Sequence, residues 1–169
     1  MMTRRVLLGG LAAAGVAATG LRALSGKAAP GGAAGPEARF PFTLSEAEWK
    51  ARLSPQQYAV LRDHGTERAG TSPLNAEKRP GIFACAGCGH PVFDARTKYE
   101  SGTGWPSFWE PLPGGIGTSV DRSFFMTRTE VHCANCGGHL GHVFEDGPQP
   151  TGLRYCMNGV AMTFRPATA

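Results

Sequence analysis

Three things are scarce in this sequence, and each scarcity removes a class of function. The apolar run at the N-terminus, Val6 to Leu21, is short and rich in Gly and Ala, which disfavours a stable membrane span. The body carries no excess charge. Arg4, Arg5, Arg22 and Lys27 all precede the first acid, Glu37, so four of the 17 basic residues belong to the leader and 13 remain against 13 acidic ones. A neutral body offers no field for a phosphate backbone, so we expect no nucleic-acid partner. Spare thiols are also few: four of the five cysteines fall in two CxxC pairs, and Cys156 stands alone. What is abundant is Gly (24) and Pro (13), a composition that favours a turn-rich, β-leaning chain over a helical bundle.

The leader has two adjacent arginines followed by the weakly apolar run, the order of an export signal. Thr3-Arg4-Arg5-Val6-Leu7-Leu8 resembles the twin-arginine class, and the basic residues Arg22 and Lys27 behind the run fit it. We therefore expect a twin-arginine-type signal peptide over 1–29, cleaved between Ser25 and Ala29, a flexible Pro/Gly-rich linker over 30–40, and one functional domain over 41–169. The mature chain would be exported, periplasmic or otherwise extracytoplasmic, with no stable span after processing. The alternative is an uncleaved anchor or a disordered tail.

In the body, Ser45-Glu46-Ala47-Glu48 is a capping box that places Trp49 and Leu53 on one helical face. Ser54-Pro55-Gln56-Gln57 repeats the signal, with Pro at the first helical position, Tyr58 and Leu61 on one face and Gly65 as the stop. A long polar loop follows over 66–80. From Gly81 the helical period vanishes. Ile82–Ala84 and Pro91–Phe93 read as strands around a tight knuckle, Phe124–His132 as the best strand, and Leu140–Phe144 as another. Leu153–Met157 and Val160–Phe164 flank Asn158-Gly159, the signal of a type I′ hairpin. The expectation is a mainly β fold, an antiparallel core with a short helical N-terminal lobe.

Cys85-Ala86-Gly87-Cys88-Gly89 and Cys133-Ala134-Asn135-Cys136-Gly137 share one form, CxxC followed by Gly. Two residues between thiolates let both reach one metal, and four thiolates make a closed, structural site. Two disulfides are the alternative, one that exported proteins ordinarily favour. A lone cysteine such as Cys156 is ordinarily inert core, but His139 and His142 can lower a thiol pKa and move protons near neutrality. Asn158, two residues on, can hydrogen-bond a reacting oxygen. The two histidines could instead be metal ligands. Upstream, the Gly/Pro-braced loop Ser101-Gly102-Thr103-Gly104-Trp105-Pro106-Ser107-Phe108-Trp109 supplies aromatics that are either core or a hydrophobic wall for an apolar substrate end.

SGTGWPSF, the two knuckles, HLGHVF and GLRYCMN, in that order over roughly residues 43 to 165, resemble the peptide-methionine (R)-S-oxide reductase family. The resemblance implies two antiparallel β-sheets and one structural zinc per chain, held by Cys85, Cys88, Cys133 and Cys136. It implies Cys156 as nucleophile, His139, His142 and Asn158 as the polar groups that activate the sulfoxide, and Trp105 as the aromatic that receives its methyl group. We place Phe108 and Arg154 with Trp105 in the substrate-binding set. The implied reaction is thiol-dependent reduction of methionine (R)-sulfoxide, free or protein-bound, through a Cys156 sulfenic acid, repairing oxidised proteins. Two residues depart from the pattern. Thr103 stands where many relatives carry the resolving cysteine, so an external thiol, thioredoxin-like or glutaredoxin-like, would have to reduce Cys156. Gly159 stands where relatives usually carry Ser, which would loosen the turn beside the nucleophile. We expect a monomer. The competing readings are a non-catalytic zinc-knuckle binding module and a Cys-His-Asn hydrolase or transferase.

Overall fold

A computed structural model describes residues 40–168 of the chain. The expected signal peptide and all but the last residue of the expected linker lie outside the described residues.

The two capped sequences form the two helices. In α1 (Glu46–Arg52) the Ser45 side chain accepts from the Glu48 N–H and the Glu48 carboxylate accepts from the Ser45 N–H. In α2 (Pro55–Leu61) Ser54 and Gln57 do the same, with Pro55 opening the helix. Such caps satisfy amide groups that a seven-residue helix cannot satisfy internally. Trp49, Leu53, Val60 and Leu61 are buried, and Trp49 and Leu61 press on the knuckle glycines Gly87 and Gly138. Arg52 donates to the Gly87 carbonyl at 2.6 Å and Arg62 to the Cys136 carbonyl at 3.2 Å. The helical lobe is thus bolted onto the two CxxC turns. Phe40 packs edge-on to His132. None of the helices among the described residues is long and apolar enough to cross a membrane.

Nine strands follow: β1 (Gly81–Cys85), β2 (Pro91–Asp94), β3 (Lys98–Tyr99), β4 (Ser107–Phe108), β5 (Ile116–Asp121), β6 (Arg128–Cys133), β7 (His139–Phe144), β8 (Arg154–Met157) and β9 (Met162–Pro166). They make two antiparallel sheets, β2-β1-β9 and β3-β4-β8-β7-β6-β5. Phe83 of β1 and Phe93 of β2 meet Phe108 of β4, with ring centroids 4.9 and 4.3 Å apart, so aromatic contact joins the two sheets.

Three expectations need correction. Asn158-Gly159 is not a hairpin turn. β8 pairs with β4 and β7, whereas β9 pairs with β1 in the other sheet, and Gly159–Ala161 is a short 3-10 turn between them. Gly159 does not loosen this corner either: it is buried, and a Cβ there would lie 1.9 Å from the Ser72 hydroxyl oxygen. Glycine lets the 66–80 loop close over the turn. The strand expected from Phe124 begins only at Arg128, after a 3-10 turn at Ser123–Phe125.

Candidate active site and metal centre

The knuckles converge. Cys85 ends β1 and Cys133 ends β6, and each CxxC closes through an amide-to-carbonyl bond from Gly89 to Cys85 (2.8 Å) and from Gly137 to Cys133 (2.9 Å). Both glycines have positive φ, 77° and 68°, where a Cβ would be strained. The sulfurs of Cys85 and Cys136 are 3.7 Å apart, those of Cys88 and Cys133 3.6 Å, and all four lie within 4.8 Å of one another. A tetrahedron of thiolates about 2.3 Å from a metal has edges of about 3.8 Å, so the four donors fit one closed metal site. None of the five cysteines is in a disulfide.

The second site is written across the six-stranded sheet. Tyr99 pairs with Ser107, Ser107 with Cys156, Cys156 with His142, His142 with Glu130, and Glu130 with Ser119. Directly opposed residues of antiparallel strands share a face, with Cβ atoms about 4.5–5.5 Å apart. Cys156 and His142 are therefore immediate neighbours, brought together from β8 and β7. Residues three apart in a strand ordinarily face opposite ways. Here His132 pairs with His139 while Val131 pairs with Gly141, a bulge at Leu140 that turns His139 to the same side as His142.

Each histidine then finds a carboxylate. His142 Nε2 is 2.8 Å from Asp121 Oδ2, which also accepts from Arg128 at 2.7 Å. Hydrogen bonds from the Ser123 side chain and backbone and from His142 hold the Asp121 carboxyl well below its usual range. Asp121 is thus an anion, so His142 donates through Nε2–H and keeps Nδ1 as a lone pair. Burial pulls His142 below its ordinary 6.5, against the opposing pull of Asp121. His139 Nδ1 is 2.7 Å from Glu130 Oε1, and Ser119 donates to Glu130 Oε2 at 2.5 Å. His139, above all, holds Glu130 down at about 2. The rings of His139 and His142 meet edge to face at 5.3 Å. His139 is only 2% exposed and stands one layer behind His142, outside the cleft that holds Cys156.

His64 also reaches Glu130 Oε1, at 3.0 Å, which gives His64, Glu130 and His139 the makings of a metal triad. Hydrogen bonding accounts for the group better. A metal on His139 Nδ1 would force the proton onto Nε2, which is buried with no acceptor. Metal-bound histidines instead donate that proton to a partner.

The cleft over Cys156 is about 130 Å³ and is lined by Trp105, Phe144, His142, Asn158, Arg128 and Thr66 among others. That is room for one side chain, well short of the several hundred Å³ of an ordinary small-molecule pocket. The Trp105 indole is fixed by a 2.9 Å bond from Nε1 to the Glu67 carbonyl. Asn158 is tied on both sides: its Oδ1 accepts from the Glu67 N–H at 2.8 Å, and its Nδ2 donates to the Leu140 carbonyl at 3.1 Å. One amide proton of Asn158 is left for a substrate oxygen. Burial pushes the Cys156 thiol above its ordinary 9.0, while Thr103 and Arg154 pull the other way. Thr103 Oγ1 lies 4.0 Å from Cys156 Sγ.

Two residues expected in the substrate set do not line the cleft. Phe108 is fully buried and stacked on Phe93, so it is core and lines no cleft. Arg154 turns both donor arms to Asp146, at 2.8 Å each, and lies over the Phe144 ring at 4.5 Å. It braces the wall rather than lining it. Asp121, Glu130 and Arg128 were not singled out in the sequence. Glu130, an acid inside the best strand, was the one available signal.

Residues 53–166 match the family model described as the SelR domain. The chain is 53% identical over 123 residues to a peptide methionine sulfoxide reductase MsrB of Agrobacterium fabrum, covering 72% of this chain and 91% of the relative. It is 52% identical over 122 residues to one of Methanosarcina barkeri (72% and 86%), and 52% over 120 residues to one of Pseudomonas putida (70% and 92%).

Proposed function

The chain belongs to the SelR-domain family, and we propose that it is an oxidoreductase that reduces methionine (R)-sulfoxide to methionine with a thiol as the electron source. The observation that carries this is the direct opposition of Cys156 and His142 across β8 and β7, in a side-chain-sized cleft walled by Trp105 and Phe144. Trp105 and Phe144 offer an apolar seat for the methyl end, and His142 and the free amide proton of Asn158 face the polar end.

The chemistry follows from the protonation states. Cys156 starts as a neutral thiol and His142 as a neutral imidazole with Nδ1 open. As Cys156 sulfur attacks the sulfoxide sulfur, Nδ1 takes the thiol proton and passes it to the sulfoxide oxygen, making that oxygen able to leave. The oxygen leaves as hydroxide and then adds to the Cys156 sulfur as the new S–S bond breaks toward methionine, so Cys156 ends as a sulfenic acid and methionine departs with its sulfur reduced by the two electrons that Cys156 has lost. Asp121 holds the imidazole in the tautomer this needs.

Recycling requires an external thiol. The other four cysteines are committed to the metal cluster, and Thr103 occupies the spot beside Cys156. A first thiol displaces water from the sulfenic acid to give a mixed disulfide, and a second releases Cys156. We assign this to a thioredoxin-like or glutaredoxin-like protein or a small thiol, acting on a monomeric enzyme.

Zinc is the metal we assign to the cysteine site, since a closed set of four thiolates suits it best. We assign the leader to twin-arginine export, and the mature enzyme to the periplasm or another extracytoplasmic space. Loading zinc before export would protect the thiols from an oxidising compartment.

The reading is tested by assaying both epimers of methionine sulfoxide with dithiothreitol, in the wild type and in Cys156→Ser. Wild-type activity on the R epimer alone, absent in the variant, is expected. Activity on neither epimer removes the reading.

A further inference from the structure

A strained aromatic stands exposed on the turn that supports this site. Phe125 lies in the left-handed region at φ 59° and its side chain is wholly exposed. A bulky residue in that conformation is a genuine outlier, and outliers of this kind cluster at functional sites. Met126 beside it is 52% exposed and Val120 across the turn 65%; these three are the large apolar side chains left exposed among the described residues. Phe125 and Met126, adjacent on one turn, form an exposed apolar pair of the kind an interaction surface uses.

The turn is built into the active site. Asp121, which holds His142, also accepts from the Ser123 N–H at 2.8 Å, and Arg128 reaches both Asp121 and the Ser123 hydroxyl. A second hollow of about 310 Å³, lined by His64, Val120, Arg122 and Ser123 among others, adjoins the cleft over Cys156. The two share Thr66, Arg128 and His142. A trough thus runs from Cys156 past His142 to the foot of the Ser123–Phe125 turn. The cleft admits one side chain, so any polypeptide that inserts a residue there must leave its neighbours lying outside, along this trough.

We propose that Phe125 and Met126 form a docking tip for an extended polypeptide, contacting apolar residues next to the oxidised methionine. This rests on the reductase reading above. It makes the enzyme selective for sulfoxides in apolar stretches, the stretches that local unfolding exposes.

The test compares kcat/KM on three substrates: free methionine sulfoxide, a peptide with Leu at the positions flanking the sulfoxide, and the same peptide with Ser there. Phe125→Gly removes the ring and accepts the left-handed backbone. It should lower kcat/KM for the Leu peptide roughly fivefold, the size expected from losing a partly buried aromatic contact. The other two substrates should change less than about twofold by the same reasoning. Phe125→Leu should keep most of the Leu-peptide preference. An equal effect of Phe125→Gly on all three substrates, or none on any, overturns the proposal. So does a wild-type dimer that Phe125→Gly dissolves, since the tip would then serve a second copy. A wild type inactive on all three substrates would mark failure of the reductase reading itself.

Discussion

Residues in this protein act through pairs that sequence distance conceals. His142 takes its tautomer from Asp121, 21 positions away, and His139 is held by Glu130, nine positions away. The pH dependence follows from the sign of two shifts. Burial lowers His142 below 6.5 and raises Cys156 above 9.0, so between these values the imidazole is neutral and the thiol protonated. Single-turnover oxidation of Cys156 should climb with pH through a midpoint below 6.5, level off near neutrality and stay level to about pH 9. Stability has the same direction: the unfolded chain takes the His142 proton more readily, so that contribution is present above pH 6.5 and is lost as pH falls toward the folded midpoint. His142→Asn should slow the step by roughly a hundredfold or more and erase the acid limb. An unchanged limb in the variant would assign the proton transfer to another group.

At the scale of the element, β7 is the strand that makes the site. Its bulge puts both histidines on one face, and Gly141 lets β7 and β8 approach. A Cβ on Gly141 would lie 2.1 Å from the Cys156 carbonyl oxygen and under 3 Å from the Met157 side chain. Gly141→Ala must therefore push β8 away from β7. We expect a destabilisation of about 1–3 kcal/mol, read as a fall in the thermal midpoint, together with a loss of activity larger than the stability change accounts for. Elements governed by local rules were legible in the sequence: two capping boxes gave two helices, and two CxxC-Gly turns gave two matching knuckles. Strand order was not. Asn158-Gly159 carries a hairpin signal, but that signal presumes that successive strands pair. Here β8 and β9 enter different sheets and the glycine serves contact with Ser72. The bulge at Leu140 and the carboxylates of Asp121 and Glu130 depend on β5-β6-β7 pairing, which no local pattern announces. Phe108 misled for a related reason: an aromatic in a Gly/Pro-braced loop suits either core or cleft, and only sheet packing decides.

For the molecule as a whole, the cysteine cluster ties β1 and β6, one from each sheet, under a lid formed by the two helices. Closed four-thiolate sites hold zinc with roughly 10–16 kcal/mol in small peptides, comparable with the entire stability of an ordinary domain. Removing the metal with a chelator strong enough to compete with four thiolates should lose cooperative unfolding and activity together, although the cluster touches no reacting atom. Full cooperativity and activity in metal-free, reduced protein would show that the sheets hold the frame unaided.

The central claim is that Cys156 alone carries the oxygen taken from substrate. It is tested most directly by mass spectrometry of enzyme mixed once with methionine (R)-sulfoxide, without any reductant. One methionine should be released per chain, with one oxygen retained on the peptide that contains Cys156. An intramolecular disulfide involving Cys156, or methionine released with Cys156 still a thiol, would contradict it.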